Sequence, residues 1–106
     1  MEFNEALVKS LDETLAGVLS KEVVAAFYTH LEKAHSISKN EVPYRLDTIF
    51  ATLEKTFGGQ GSRTLSRAIA KRFYSNLGLS FHDNPTRTLV EYVEDAKHQI
   101  ATESQH

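Results

Sequence analysis

Apolar side chains recur every three or four residues along almost the whole chain, and this spacing places them on one face of an α-helix. The first three such stripes begin at Phe3, Val23 and Leu46, and two more begin at Leu65 and Leu89. We see no stretch of alternating apolar and polar residues that would indicate a strand. The sequence therefore predicts an all-α fold, a five-helix bundle made of two similar helical hairpins and a closing C-terminal helix.

Residues that begin or end helices divide these stripes. Ser20 is placed to cap the second helix, and Ser38 with Glu41 and Thr88 with Glu91 have the spacing of capping boxes. Glycines are expected to end helices at Gly17, at the run "GGQG" and at Gly78. Ser62 is placed to cap the helix that follows "GGQG", and Pro85 suits the first turn of the closing helix. We expect one domain over 1–106, with hairpins at 3–37 and 44–78 and a closing helix at 86–100.

Residues 11–31 and 53–77 resemble each other, which would make the two hairpins copies of one design. Early matches fall at an offset of 42 and later ones, such as Tyr28 with Tyr74, at an offset of 46. Helical sequences also share leucine patterns by chance, so duplication and coincidence both remain open. At the offset of 46 the apolar positions match, but the residues on the opposite face of the helix differ. Gly17, Lys21, Ala25 and Ala26 of the first hairpin correspond to the basic residues Arg63, Arg67, Lys71 and Arg72 of the second.

The basic residues added in the second hairpin form the candidate site for a protein partner or for nucleic acid. On a helical wheel Arg63, Arg67 and Lys71 fall within about 80° of one another at about 100° per residue. Arg72 follows Lys71 in the chain, and Tyr74 projects into the same sector as the cations. Cations beside an exposed aromatic side chain suit a phosphate backbone or an acidic partner helix.

Charge is distributed unevenly along the chain, and three interpretations of the basic stripe follow. Residues 43–77 carry a net charge of +4, whereas the segments on either side carry −3 each, for a total of −2. The stripe could be solvated or paired within the bundle, with Glu91, Glu94 and Asp95 as candidate partners. It could instead dock a protein. Nucleic acid is favoured less, because few base-reading side chains accompany the cations and the chain is acidic overall.

The sequence offers no catalytic or metal-binding motif, so we expect a protein that is not an enzyme and uses no cofactor. It has no cysteine, no G-x-S-x-G elbow and no Walker phosphate loop. His30 and His35 are too far round the helix to share a face, and the Asp95-x-x-His98 spacing lacks the second copy of a di-iron bundle. The polar N-terminus and the lack of a membrane-length apolar run predict a cytoplasmic protein.

Several stretches of the chain together carry a resemblance to a known family. They are "FYTHLEKAHSISKNEVPYRLDTIFATLEKTFGGQG" and "IAKRFYSNLGLSF", followed by "TLVEYVEDAK". Over about residues 11–98 this order of features resembles the small archaeal output domain first described in Nitrosopumilus response regulators, the fifth type of that series. The resemblance implies an all-helical output or interaction module of archaeal two-component signalling, either attached to a receiver domain or standing alone. Because the sequence shows no receiver domain, we expect the stand-alone form, acting by protein–protein interaction with another protein or as a homodimer. The resemblance implies no particular site residues.

Overall fold

The computed structural model describes residues 2–84 and 86–104, and its helices are joined by short connectors. In chain order they are α1 (Phe3–Val18), α2 (Lys21–His35), a 3-10 helix (Lys39–Tyr44), α3 (Leu46–Leu77) and α4 (Leu89–Ser104). No strand occurs among the residues described, which confirms the predicted all-α class. Within the same residues, no helix combines the length and the apolar character needed to cross a membrane.

A sharp kink at Gly58 divides α3 into a first arm (46–57) and a second arm (59–77). Gly58 has φ 79° and ψ 170°, a backbone conformation essentially limited to glycine. The prediction of a four-residue turn with Ser62 as the next cap is wrong, because the helix resumes at once and Ser62 lies inside it. The Ser62 hydroxyl donates to the Gly59 carbonyl at 3.0 Å. The third and fourth predicted helices therefore meet at a single non-helical residue.

Two of the predicted capping arrangements begin α2 and α4. The Val23 N–H donates to Ser20 Oγ at 3.2 Å at the start of α2. At the start of α4 the Thr88 N–H donates to Glu91 Oε1 at 3.0 Å, and the Glu91 N–H donates to Thr88 Oγ1 at 3.2 Å. Because of this capping box α4 begins at residue 89 and not at 86, and it continues to 104 and not only to 100.

The remaining predicted helix ends are confirmed in part. The Glu41 carboxylate accepts hydrogen bonds from the Ser38 hydroxyl at 2.8 Å and from its N–H at 3.1 Å, and these bonds lower the pKa of Glu41. This pair opens a 3-10 helix where the sequence predicted only a break. Gly78 ends α3 with φ 72°, as predicted, whereas α1 continues past Gly17. Pro85 lies outside the described residues.

Buried apolar side chains form one cluster that includes residues of every helix. The predicted stripes of α1, α3 and α4 supply most of it, with Leu7, Leu11, Leu15, Ile49, Leu53, Leu65, Ile69, Phe73, Leu89, Val93 and Ala96 all buried. Among the described residues α2 buries only Phe27 and Leu31, fewer than any other α-helix. Val23 belongs to the predicted stripe of α2 but is 42% exposed, and His35 is exposed as well.

The second arm of α3 lies between α1 and α4. On one side the rings of Phe3 and Phe73 pack edge to face with centroids 5.1 Å apart. On the other side the Tyr74 hydroxyl donates to the Tyr92 carbonyl at 2.6 Å. The two helices together bury one side of the second arm and leave its opposite side to solvent.

The connector before α4 is held in place by Tyr92. The Tyr92 hydroxyl accepts from the Asn84 N–H at 2.9 Å and donates to the Asn84 carbonyl at 2.8 Å. Phe81 stacks on the same ring at 5.3 Å, and both Leu79 and Phe81 pack partly buried against the core. These contacts bring the residues that follow Phe81 alongside the second arm of α3.

Candidate partner-binding site

Four basic side chains lie along the solvent side of the second arm of α3, and we call them the basic face: Arg63, Arg67, Lys71 and Arg72. Three of them are exposed, and Arg67 is half-buried. The intervening apolar residues of the same arm are buried between α1 and α4. Their burial fixes which side of the helix the cations occupy.

Within the described residues, Arg67 is the only member of the basic face with an ion-pair partner. Its guanidinium donates two hydrogen bonds to the Asp83 carboxylate, from Nε at 2.9 Å and from Nη2 at 2.5 Å. These bonds raise the pKa of Arg67 and lower the pKa of Asp83, which the charge of Lys71 lowers further. Both side chains are about half exposed, so solvent screens the pair and its main effect is to position the connector.

Helix α4 does not neutralise the basic face, so the suggested pairing with Glu91, Glu94 and Asp95 is not observed. Glu91 caps its own helix. Glu94 lies 3.5 Å from the Lys97 ammonium, and Asp95 lies 3.4 Å from the Arg87 guanidinium. Glu91, Glu94 and Asp95 are therefore engaged by groups other than the basic face.

Tyr74 is buried, and its assignment to the exposed basic stripe is wrong. Only 1% of the residue is exposed, and its hydroxyl lies 3.3 Å from Asp95 Oδ2 in addition to its bond with Tyr92. Burial and the charge of Asp95 raise the pKa of Tyr74 to about 12. Burial also opposes ionisation of Asp95, but hydrogen bonding by Gln99 and the charge of Arg87 outweigh it and lower its pKa. Tyr74 thus holds α4 against α3 and does not face a ligand.

A shallow concavity of about 480 Å³ adjoins the basic face, lined by Glu13, Ala68, Lys71, Arg72, Ser75 and Asn76. The Asn76 amide donates to the Ser10 hydroxyl of α1 at 2.9 Å, which fixes this side of the concavity to the core. Two cations and a neighbouring hydroxyl can bind carboxylates through charge-assisted hydrogen bonds. Glu13 contributes a negative charge at the edge, so the surface has mixed charge.

Sequence reasoning missed Asp83 and Glu13 as members of this surface. Arg67 and Asp83 are sixteen residues apart, and no helical periodicity relates two residues on different elements. The available signal was the large apolar side chain of Phe81, because its packing against the core brings the residues that follow it close to α3. Glu13 carried no comparable signal in the sequence.

The histidines and carboxylates are not gathered into a metal centre in the part of the chain that the structure describes, where no group of three or more could hold an ion. The rings of His30 and His35 pack edge to face at 5.6 Å, although their spacing predicted separate helix faces. Asp95 is engaged by Tyr74 and Arg87, and His98 is exposed. The groups that do converge on one surface are the cations of α3.

Comparisons with protein-family models, with curated proteins and with solved structures identify no match for this chain. The resemblance to the archaeal output domain therefore stays a prediction. The interpretation of the basic face depends on its own geometry.

Proposed function

We propose that the protein is a cytoplasmic, non-enzymatic regulatory module that binds an acidic segment of a partner protein through its basic face. The observation that supports this is the exposure of Arg63, Lys71 and Arg72, which have no ion-pair partner among the described residues. Cations that served only to balance charge within the bundle would lie against the acids of α4. The archaeal signalling context comes from the resemblance alone and stays a prediction.

A protein partner is favoured over nucleic acid by the carboxylates that border the basic face. Asp83 forms an ion pair with Arg67, and Glu13 lines the concavity together with Arg72. Duplex DNA presents an unbroken array of negative charge, roughly one per 1.7 Å of helix axis, which these carboxylates would repel. A protein surface can place a cation opposite Glu13 and carboxylates opposite Lys71.

The decisive experiment compares two variants with the same change in net charge. In the test variant Lys71→Glu and Arg72→Glu reverse the basic face. In the matched control Lys9→Glu and Lys21→Glu reverse two exposed lysines of α1 and α2. Parent and variants are immobilised, and proteins captured from a lysate of the source organism are quantified by mass spectrometry. A partner identified in this way is then purified and its Kd for each form is measured by calorimetry.

We expect a partner that the parent and the control capture equally and that the test variant loses, with Kd weakened by about tenfold or more. Equal loss with the control variant would show that only net charge matters, and equal capture by all three forms would contradict the proposal. Fluorescence anisotropy with a DNA duplex tests the alternative. Duplex binding that falls steeply with salt and is lost in the test variant would indicate a nucleic-acid-binding protein instead.

A further inference from the structure

A groove of about 290 Å³ lies between α2 and the first arm of α3, and we call it the α2 groove. Val23, Ala26 and Phe27 line it from α2, and Phe57 lines it from the end of the first arm. Val23 is 42% exposed and Phe57 is only partly buried, so apolar side chains stay open to solvent here. A mostly apolar concavity at the small end of the usual range of about 300–1,000 Å³ is typical of a site for a small ligand.

The surface of the second arm of α3 that corresponds to this side of α2 is covered within the molecule. At the sequence offset of 46, Val23 corresponds to Ile69 and Phe27 to Phe73, and Ile69 and Phe73 are fully buried. There the ring of Phe3 from α1 packs on Phe73 with centroids 5.1 Å apart. The matching stripe of α2 has the same apolar character, but the groove beside it is open. It therefore has room for an apolar group from outside the fold.

Three polar side chains also line the α2 groove, and none has a hydrogen-bond or ion-pair partner among the described residues. They are His30, Lys55 and Thr56. In the concavity between α1 and α2, by contrast, Asp12 is paired with Lys39 at 3.2 Å. The α2 groove thus presents unused hydrogen-bond donors directly beside its apolar lining.

The charge of these donors selects an anion. Lys55 carries an ammonium, His30 offers a ring N–H and Thr56 a hydroxyl, and no carboxylate among the described residues lines the groove. Asp47 lines the adjoining concavity but lies eight residues from Lys55, about 12 Å along the helix axis. One fixed cation matches the single charge of a carboxylate better than the charge of about −1.5 to −2 on a phosphate ester.

We infer that the α2 groove binds a free monocarboxylic acid with an apolar body. The hydrocarbon part lies between Phe27 and Phe57, and the carboxylate accepts charge-assisted hydrogen bonds from Lys55 and from the neighbouring donors of the groove. This pairing uses both properties of the site, the open apolar lining and the unpaired donors. The site does not include the basic face, so the inference does not depend on the proposed function.

The first test is titration of the purified, ¹⁵N-labelled protein with octanoate, followed by NMR. Octanoate is expected to shift the amide signals of residues that line the groove, with a Kd on the order of 1 mM or below for a ligand of about ten non-hydrogen atoms. The alcohol 1-octanol has the same body without the charge and is expected to bind about tenfold more weakly. Octylammonium carries the opposite charge and is expected not to bind.

The second test removes the two halves of the site separately. Lys55→Met keeps an apolar side chain of similar length and is expected to weaken octanoate binding about tenfold while leaving 1-octanol unchanged. The control Lys21→Met removes the same charge from an exposed lysine of a different concavity and is expected to change neither. Ala26→Trp fills the groove and is expected to abolish binding of both probes, whereas Ala25→Trp, on a neighbouring exposed alanine outside the groove, should not. Circular dichroism checks that every variant keeps the parent's helix content.

Several results would overturn the inference: no shift of the groove signals with octanoate, equal binding of octanoate and 1-octanol, or octanoate binding that survives Lys55→Met or Ala26→Trp. If octanoate fails to bind but Ala26→Trp loses a captured protein partner, the groove is a protein-docking surface instead. The variant with Lys71→Glu and Arg72→Glu is expected to bind octanoate like the parent. Failure of this inference and failure of the proposed function are therefore distinguishable.

Discussion

The kink in α3 predicts that alanine substitutions at two neighbouring glycines change the stability of the fold in opposite directions. Gly58 has φ 79° and ψ 170°, a conformation that costs a residue with a side chain roughly 1–3 kcal/mol. A methyl group there meets no atom within 4 Å, so the cost of Gly58→Ala comes from the backbone and not from crowding. Gly59 lies in the helix with no positive φ, and a methyl group there also meets nothing within 4 Å. Gly59→Ala therefore restricts the unfolded chain and stabilises the fold by about 0.4–1 kcal/mol.

Thermal and urea denaturation followed by circular dichroism measure both effects. For a domain of this size about 1 kcal/mol corresponds to roughly 4–8 °C in Tm. We expect Gly58→Ala to lower Tm by roughly 10 °C and Gly59→Ala to raise it by a few degrees. Helix propensity alone would stabilise the protein at both positions, so only the kink explains opposite signs. If Gly58→Ala is as stable as the parent, α3 is continuous through residue 58 and this reasoning is refuted.

Three further predictions concern the contacts that hold the helices. Tyr74→Phe removes the buried hydroxyl from the Tyr92 carbonyl, and urea denaturation should show about 1–2 kcal/mol lower stability. Ser20→Ala removes the acceptor of the Val23 N–H and should reduce stability by about 1 kcal/mol, whereas Ser80→Ala, in the exposed connector, should leave it unchanged. Because folding raises the pKa of Tyr74, its neutral hydroxyl stabilises the folded state fully at pH values below 10.0, its pKa in the unfolded chain. This stabilisation is lost as the pH rises towards about 12, its pKa in the folded protein. Raising the pH from about 9 to 11 should therefore lower the free energy of unfolding of the parent more than that of Tyr74→Phe, as measured by urea denaturation at each pH. Equal losses in the two proteins would contradict this assignment.

Features set by residues close in sequence could be predicted at their correct positions. The capping pairs Ser38 with Glu41 and Thr88 with Glu91 depend on residues three apart, and both form. The apolar stripe of α1 depends only on helical spacing, and its leucines Leu7, Leu11 and Leu15 are buried. These features need no knowledge of which helix lies next to which.

Features that depend on tertiary neighbours could not be predicted in the same way. A helical wheel gives the direction of Tyr74, but only the position of α4 decides whether that direction is buried. The pattern of α2 resembles that of a covered helix, and nothing in the sequence of α2 says that Val23 stays 42% exposed. The glycine-rich run permits a turn of several lengths, and the packing of the two arms leaves only Gly58 outside the helix.

The packing of α1 against the second arm of α3 affects how the chain folds while it is being synthesised on the ribosome. Ser10 is bonded to Asn76, which lies 66 positions later in the chain. At roughly 5–20 residues per second, a ribosome releases the second arm some 3 to 13 seconds after α1. The second arm and α4 lie close together in the chain and can pair as soon as both have emerged. During that interval the part of the apolar face of α1 that packs on the second arm is exposed on the nascent chain.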